Sequence, residues 1–491
     1  MVVPVIAFML VAALVGGAYV TNPFSRFTMV KQPFVAQAVA DALQAVNNNH
    51  RLHVAQAWPW RLFATLKCWI HIMETRFVRS ERSDAKTLKH IITDIHASRF
   101  DPNKLLLTSG DHFSALFVRN LGVFYYPTCD PRIPSTTEEW HNRQVSYLQT
   151  VAYALGVFEK RPVPVTTIVP TGAYRATCMN FWRYPSDTVY GVLYALAALQ
   201  GKELAAPVDY APAQQELGTV RAAELLVREY HTTLVKLYAH YRDTVFDEKA
   251  GLLRRDVYIC GAKDITLRAC SFYDNVVFWK TTSLAMELGI IPRDRPFLRR
   301  LKQTILLTFW LEDKGYFLDE PSGEAMAGAY YSSDWLIALV TGFLDPAKAA
   351  ERPYFERSVA YIQAAGVDNP LPLKYQAEGS GRQQFFLARL AFASYQRDTA
   401  WSFWGMEYIK TLLLLYTHTG KKQYLKTADK HIASYKHAML RDSGFPEVYD
   451  TKGQLYQTWM YRSVRKTGWV IGFEQALAMR NAIKTGVGHG A

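Results

Sequence analysis

The stretch Thr419-Gly420-Lys421-Lys422-Gln423-Tyr424-Leu425 decides the fold. It ends one run of helical periodicity, 403–418, and opens another, 422–439. Glycine tolerates the left-handed conformation that closes a helix, so one helix should stop at Gly420 and the next should start within a residue or two. Two helices joined so tightly run antiparallel. The join recurs: Leu288-Gly289 leads through Pro292-Arg293-Asp294 into 296–310, and Thr341-Gly342-Phe343-Leu344-Asp345-Pro346 leads toward 353–365.

Outward from these joins, apolar residues fall on one face at helical spacing from Pro33 onward. The pattern returns over 57–78, 143–158, 188–200, 219–244, 276–289, 334–344, 384–396 and 470–484. Alternating strands are scarce, and 163–170 and 253–260 are the best short candidates. Helices arranged in such hairpins predict an all-α chain built as an (α/α)6 toroid, an inner ring of helices inside an outer ring. A solenoid would show a repeat of fixed length, and none is present. No Pro/Ser-rich linker divides the chain, so 33–484 is expected to form a single toroid domain.

Val2 to Val20 carries no charge, and the first charged side chain is Arg26. The length is close to that of a bilayer crossing. Residues 1–22 therefore admit three assignments: an uncleaved membrane anchor, a cleaved signal, or a buried first helix. The first two place the protein at a membrane or outside the cell; the third places it in the cytoplasm. Lys plus Arg number 56 against 43 Asp plus Glu, a formal charge of +13. The basic residues are spread along helices, as in Arg299-Arg300 and Lys421-Lys422, which describes a solvated surface and argues against a nucleic-acid partner. The five cysteines are odd in number and form no CxxC pair, so neither a zinc ribbon nor a redox motif is expected. Cys260 and Cys270 are candidates for a disulfide in an oxidising compartment, and buried free thiols are the alternative.

Aromatics make up 14% of the chain, with 12 Trp and 29 Tyr. That abundance predicts an aromatic-lined cleft. In a helical toroid, the loops before the inner helices roof one end of the ring, so their carboxylates and rings are the candidates for chemistry. Ser271-Phe272-Tyr273-Asp274-Asn275 places Asp274 where either a helix cap or a general acid belongs. Gly444-Phe445-Pro446-Glu447-Val448-Tyr449-Asp450-Thr451-Lys452-Gly453 sets Glu447 among aromatic residues, as a general base or an exposed loop carboxylate. Arg397-Asp398-Thr399-Ala400-Trp401-Ser402-Phe403-Trp404 offers Asp398 or Thr399 as a cap and Trp401 with Trp404 as core or sugar platform, with Glu407 a structural partner beyond. Gly110 to Gly122 carries the pair Arg119-Asn120, suited to sugar hydroxyls. Tyr184-Pro185-Ser186-Asp187 and Tyr330-Tyr331-Ser332-Ser333-Asp334-Trp335 are two more loop-to-helix starts. No GxGxxG, HExxH or GxSxG motif is present, and His431 and His437 are not at a metal spacing. No metal and no cofactor is expected.

Three of these stretches, in order, resemble the clan of (α/α)6-toroid glycoside hydrolases that includes trehalases and family 63. Ser271 to Asn275 is similar to the segment with the family's general acid. Lys314-Gly315-Tyr316-Phe317-Leu318-Asp319 through Ser333-Asp334-Trp335 and Gly342 to Pro346 are similar to its middle segment. Gly444 to Gly453, closing on Gly468-Trp469, resembles the segment with the base Glu and its Tyr-Asp-x-x-Gly turn. The likeness spans roughly 110–480. Phe272-Tyr273 stands where the family usually has Gly-Trp, and Arg119-Asn120 where related toroids often carry Arg-Asp.

The resemblance implies hydrolysis of an α-glycosidic bond with inversion, on a carbohydrate substrate. Asp274 would be the acid and Glu447 the base. Arg119, Asn120, Asp187, Asp334, Trp401, Trp404 and Tyr449 would bind the sugar, with Glu378 in reserve. The competing assignment is a toroid without hydrolysis, either a sugar epimerase or a carbohydrate-binding protein. A membrane-associated scaffold is a third.

Overall fold

The computed structural model describes residues 34–77, 83–99, 115–122, 137–172, 174–180, 184–202, 217–259, 261–263, 265, 266, 268–377 and 391–485. Residues 1–22, Cys260 and Glu378 lie outside the described residues. Cys270 is a buried free thiol. Among the described residues no helix is long and apolar enough to cross a membrane.

The helices are α1 (Phe34–Asn49), α2 (Trp58–Phe77), α3 (Leu88–Arg99), α4 (Thr137–Lys160), α5 (Asp187–Leu199), α6 (Leu217–Glu229), α7 (His231–Val245), α8 (Phe272–Glu287), α9 (Arg295–Phe309), α10 (Gly323–Ala327), α11 (Ile337–Val340), α12 (Arg352–Ala364), α13 (Ser402–Thr419), α14 (Lys422–Asp442) and α15 (Val470–Thr485). A 3₁₀ turn, Ser333–Leu336, runs directly into α11. The predicted joins are observed. Gly289, Gly342 and Gly420 have φ of 73°, 69° and 68°, the left-handed region that closes a helix without strain only at glycine.

Burial separates two kinds of helix. Every residue of α5 is buried, as are residues 402–415 of α13 and most of α8. In contrast, α9 buries only Leu301, Ile305 and Phe309, and α7 only Leu234, Leu237, Tyr238, Tyr241 and Val245. Their burial at every third or fourth position is that of an outer helix with one face on the core. The segments α4, α5, α8, the 333–340 turn and helix, α13 and α15 touch one another in that order. Helices α6 and α7, then α9, then α12, then α14 alternate with them along the chain. This alternation is the (α/α)6 toroid expected from the helical joins.

Strands are short and mark the loops. The 163–170 candidate holds part of a strand, Thr167–Gly172, in a four-stranded sheet with Arg175–Met179, Leu116–Phe117 and His53–Val54. The 253–260 candidate shortens to Leu252–Leu253, paired with Phe246–Asp247, and an isolated bridge at Ile259. An antiparallel pair, Ala400–Trp401 with Val448–Tyr449, ties the start of α13 to the loop after α14.

The 3₁₀ turn Val118–Leu121 rests on α5 through glycine. A Cβ on Gly191 would lie 2.5 Å from the carbonyl oxygen of Val118 and 3.2 Å from the Cα of Arg119. Both obstacles are backbone, so they cannot swing aside. Gly191→Ala is expected to cost about 1–3 kcal/mol and to lower the thermal midpoint measured by circular dichroism.

Candidate active site at the helix N-termini

The N-terminal ends of the inner helices meet. Tyr273 in the first turn of α8 donates its phenol proton to Asp187 Oδ2, 3.2 Å away at the start of α5. Ser186, the residue before α5, donates to Asp274 Oδ1 in α8. Trp401, at the start of α13, packs on Trp469, before α15, with ring centroids 5.9 Å apart. Tyr273 and Trp404 make an edge contact at 6.2 Å. Helix N-termini carry partial positive charge, which favours carboxylates at this end of the ring.

Ser271, not Asp274, caps α8. Its hydroxyl accepts the Asp274 backbone N–H at 3.1 Å, and Asp274 sits at the third position of the first turn. This relation of Ser to Asp is a capping box in outline, but the Asp274 carboxyl is turned to other partners. It accepts from Ser186 and Ser271 hydroxyls, and Arg268 Nε lies 3.9 Å from Oδ2. A hydroxyl can donate or accept, so the two serines serve either protonation state. A Cβ at Gly261 would collide with Asp274 Oδ1 and the Tyr273 ring, so the 261–263 segment lies directly over the carboxyl. Burial pushes the pKa of Asp274 up, helped by Asp334 and opposed by Arg268 and the two serines.

Glu447 stands across the same end. Its backbone carbonyl accepts from Ser402 N and Oγ, both at 3.0 Å, at the start of α13. Its Oε2 accepts from the Tyr461 phenol at 2.9 Å and the Tyr395 phenol at 3.3 Å. Tyr461 is held far above the usual phenol range by burial and by Glu447 itself, so it stays a donor. The turn after Glu447 closes as Tyr-Asp-x-x-Gly: Asp450 Oδ1 accepts from Lys452 N at 2.9 Å and Gln454 N at 2.8 Å.

The other expected site residues divide. Arg119 lies 3.9 Å from Asp187 and donates to the Gly261 carbonyl, while Asn120 is buried beside it. Asp334 Oδ2 accepts from Arg268 at 2.7 Å. Trp401 and Trp404 are both buried. Trp401 donates its indole N–H to Tyr395 O at 2.7 Å, and Trp404 packs on Phe403 and Tyr273. Both rings thus pack in contact with other aromatics. Tyr449 is fully buried against Tyr435 of outer helix α14, on the side of Arg441 and Asp442. Asp398 and Thr399 do not cap α13: Trp401 occupies the cap position, and the Thr399 hydroxyl donates to Ser394 O and Tyr395 O. Glu407 pairs with Lys410 at 2.7 Å, the structural role expected of it.

Three polar residues central to the site have no signature in sequence. Arg268, Lys263 and Asp319 are buried together: Arg268 Nη1 donates to Asp319 at 2.9 Å, and Lys263 Nζ to Asp319 at 3.4 Å. Asp319 is visible in sequence only as the end of the Lys314–Asp319 stretch. Among the described residues, no group of His, Cys, Asp and Glu could hold a metal ion.

No family model and no curated protein matches the sequence. Among solved structures, the chain is similar to a rhamnosidase from Klebsiella oxytoca with rhamnose bound, at 13% identity and a TM-score of 0.45, over 83% of this chain and 66% of that one. It is also similar to a family 63 mannosylglycerate hydrolase from Thermus thermophilus in complex with glucose, at 12% identity and a TM-score of 0.48, over 80% of this chain and 99% of that one. A third is cellobiose 2-epimerase from Spirochaeta thermophila, at 13% identity and a TM-score of 0.46, over 87% of this chain and all of that one, 100%. The chain spans just under two thirds of the rhamnosidase's length.

The raised pKa of Asp274 sets a sign for stability. The unfolded carboxyl releases its proton near pH 4, while the native one holds it to higher pH. Between those values the unfolded chain binds fewer protons, so this group's contribution to native stability falls as pH rises. Asp274→Asn cannot ionise and lacks this slope. Thermal midpoints recorded across pH should show the wild type losing ground to Asp274→Asn as pH rises above about 4.

Proposed function

We propose that this protein is a glycoside hydrolase that cleaves an α-linked glycosidic bond with inversion. The observation that supports this most is a pair of buried carboxyls beside the N-termini of inner helices. Asp274 lies where burial favours its proton, and Glu447 accepts hydrogen bonds from two phenols. A carboxyl whose surroundings keep its proton is suited to the acid role, and a second carboxyl near it to the base role.

In the proposed reaction Asp274 gives its proton to the leaving oxygen as the glycosidic C–O bond breaks. Glu447 takes a proton from water while that water's oxygen bonds to the anomeric carbon on the opposite face. Glu447 then returns its proton to solvent and Asp274 regains one, which restores the enzyme. Arg119, Asn120 and Asp187 are proposed to bind sugar hydroxyls, with Asp334, Trp401 and Trp404 shaping the wall around them.

The competing proposal is a sugar epimerase, for which a pair of site histidines would be the acid and base. Of the histidines described, His431 bonds Asp368 and His96 bonds Glu474. His240 stacks on Tyr184.

The test is a panel of α-linked disaccharides and aryl α-glycosides assayed with wild type, Glu447→Gln and Asp274→Asn. Glu447→Gln should lose about 10²–10⁴-fold in kcat on every active substrate. Asp274→Asn should lose as much on disaccharides but far less on aryl glycosides, whose leaving groups need no proton. Full activity in Glu447→Gln, or epimerised product without hydrolysis, would refute the proposal.

A further inference from the structure

Arg268 lies in the segment leading into α8, with no part of its side chain exposed. It faces three carboxylates from three different elements. Nη1 donates to Asp319 Oδ1 at 2.9 Å, beyond the Tyr316–Phe317 strand, and to Asp334 Oδ2 at 2.7 Å, in the 3₁₀ turn before α11. Nε approaches Asp274 Oδ2 only to 3.9 Å. Lys263 adds a second cation, 3.4 Å from Asp319 Oδ2 and over the Tyr375 ring at 5.0 Å. Among the described residues, three buried carboxylates therefore share the cations Arg268 and Lys263, and burial pushes the Lys263 pKa down. An unbalanced buried anion is costly, and a retained proton removes the imbalance.

Geometry decides which carboxyl keeps that proton. Asp319 is bonded by both cations, and Asp334 has the shortest bond to the guanidinium. Asp274 has two neutral hydroxyls and a distant Nε. We infer that Asp319, by engaging both Arg268 and Lys263, is a positioning residue that draws positive charge away from Asp274 and leaves the proton there. Its catalytic consequence rests on the acid role proposed above for Asp274.

Among the described residues, the remaining groups that face Asp274 do not supply the missing charge. Tyr273 on α8 and Tyr241 on α7 are phenols held protonated by burial. Cys270 is a thiol pushed up to about 11 by burial. Asp187 at the start of α5 has its own cation in Arg119 and the Tyr273 phenol. Arg268 and Lys263 thus remain the cations whose placement matters.

The experiment reads the Asp274 carboxyl directly, without substrate. The infrared carbonyl band of its protonated form is followed against pH, with Asp274→Asn as the blank. Asp319→Asn frees both cations, so the Asp274 midpoint should fall by roughly one pH unit. Lys263→Gln removes a cation and should move the midpoint the other way. Opposite shifts cannot come from misfolding, which would move both variants toward the ordinary carboxyl value. An unmoved midpoint, or shifts of the same sign, overturns the inference. On any α-glycoside that is hydrolysed, the basic limb of kcat/KM should move with the midpoint. Shifts in the infrared titration with no hydrolysis of any α-glycoside would support the charge-sharing inference and refute the acid role.

Discussion

One buried guanidinium holds the mouth of the toroid together. Arg268 joins the loop before α8 to Asp319 and to Asp334, and so fixes the start of α8 against the start of the 333–340 segment. Breaking a buried ion pair by removing one partner typically costs 3–5 kcal/mol, because the other charge is left uncompensated. The inner ring therefore tolerates its concentration of carboxylates only while these cations are in place. The helix N-termini that gather there add a favourable field for anions, but a helix end is a partial charge and cannot replace a guanidinium.

Around that core the two halves of the site are built differently. Asp274 belongs to a polar, charge-sharing cluster under the 261–263 segment. Glu447 belongs to an aromatic shell, with Tyr395 and Tyr461 bonding the carboxylate and Trp401 and Trp469 packed beyond them. The Ala400–Trp401 and Val448–Tyr449 strands link that shell to α13, and Tyr273 against Trp404 links it to α8. Secondary-structure elements on both sides suit the acid and base roles proposed for the two carboxyls.

Much of the fold was legible in sequence because its determinants are local. A helix stop at Gly420 and a fresh start at Lys422 need only neighbouring residues, and the same holds at Gly289 and Gly342. The cap at Ser271 is equally local, although the sequence reading offers Asp274 in its place. The site was legible only in part. Arg268 meets Asp319 and Asp334 across 51 and 66 residues, and no spacing rule reaches that far. Tyr449 follows Glu447 in the chain, and its ring packs against Tyr435 of α14. Trp401 and Trp404 share the start of a helix, as expected, and both are buried in contact with other rings.

The central claim is that Asp274 and Glu447 act on one glycosidic bond. A crystal structure with a non-hydrolysable α-thioglycoside bound tests it most directly. The account predicts the sulfur bridge within hydrogen-bond reach of Asp274, Glu447 on the opposite face of the ring, and the two carboxyls about 6.5–9.5 Å apart. A sugar bound away from either carboxyl, or two carboxyls too far apart for one ring and one water to span, would contradict it.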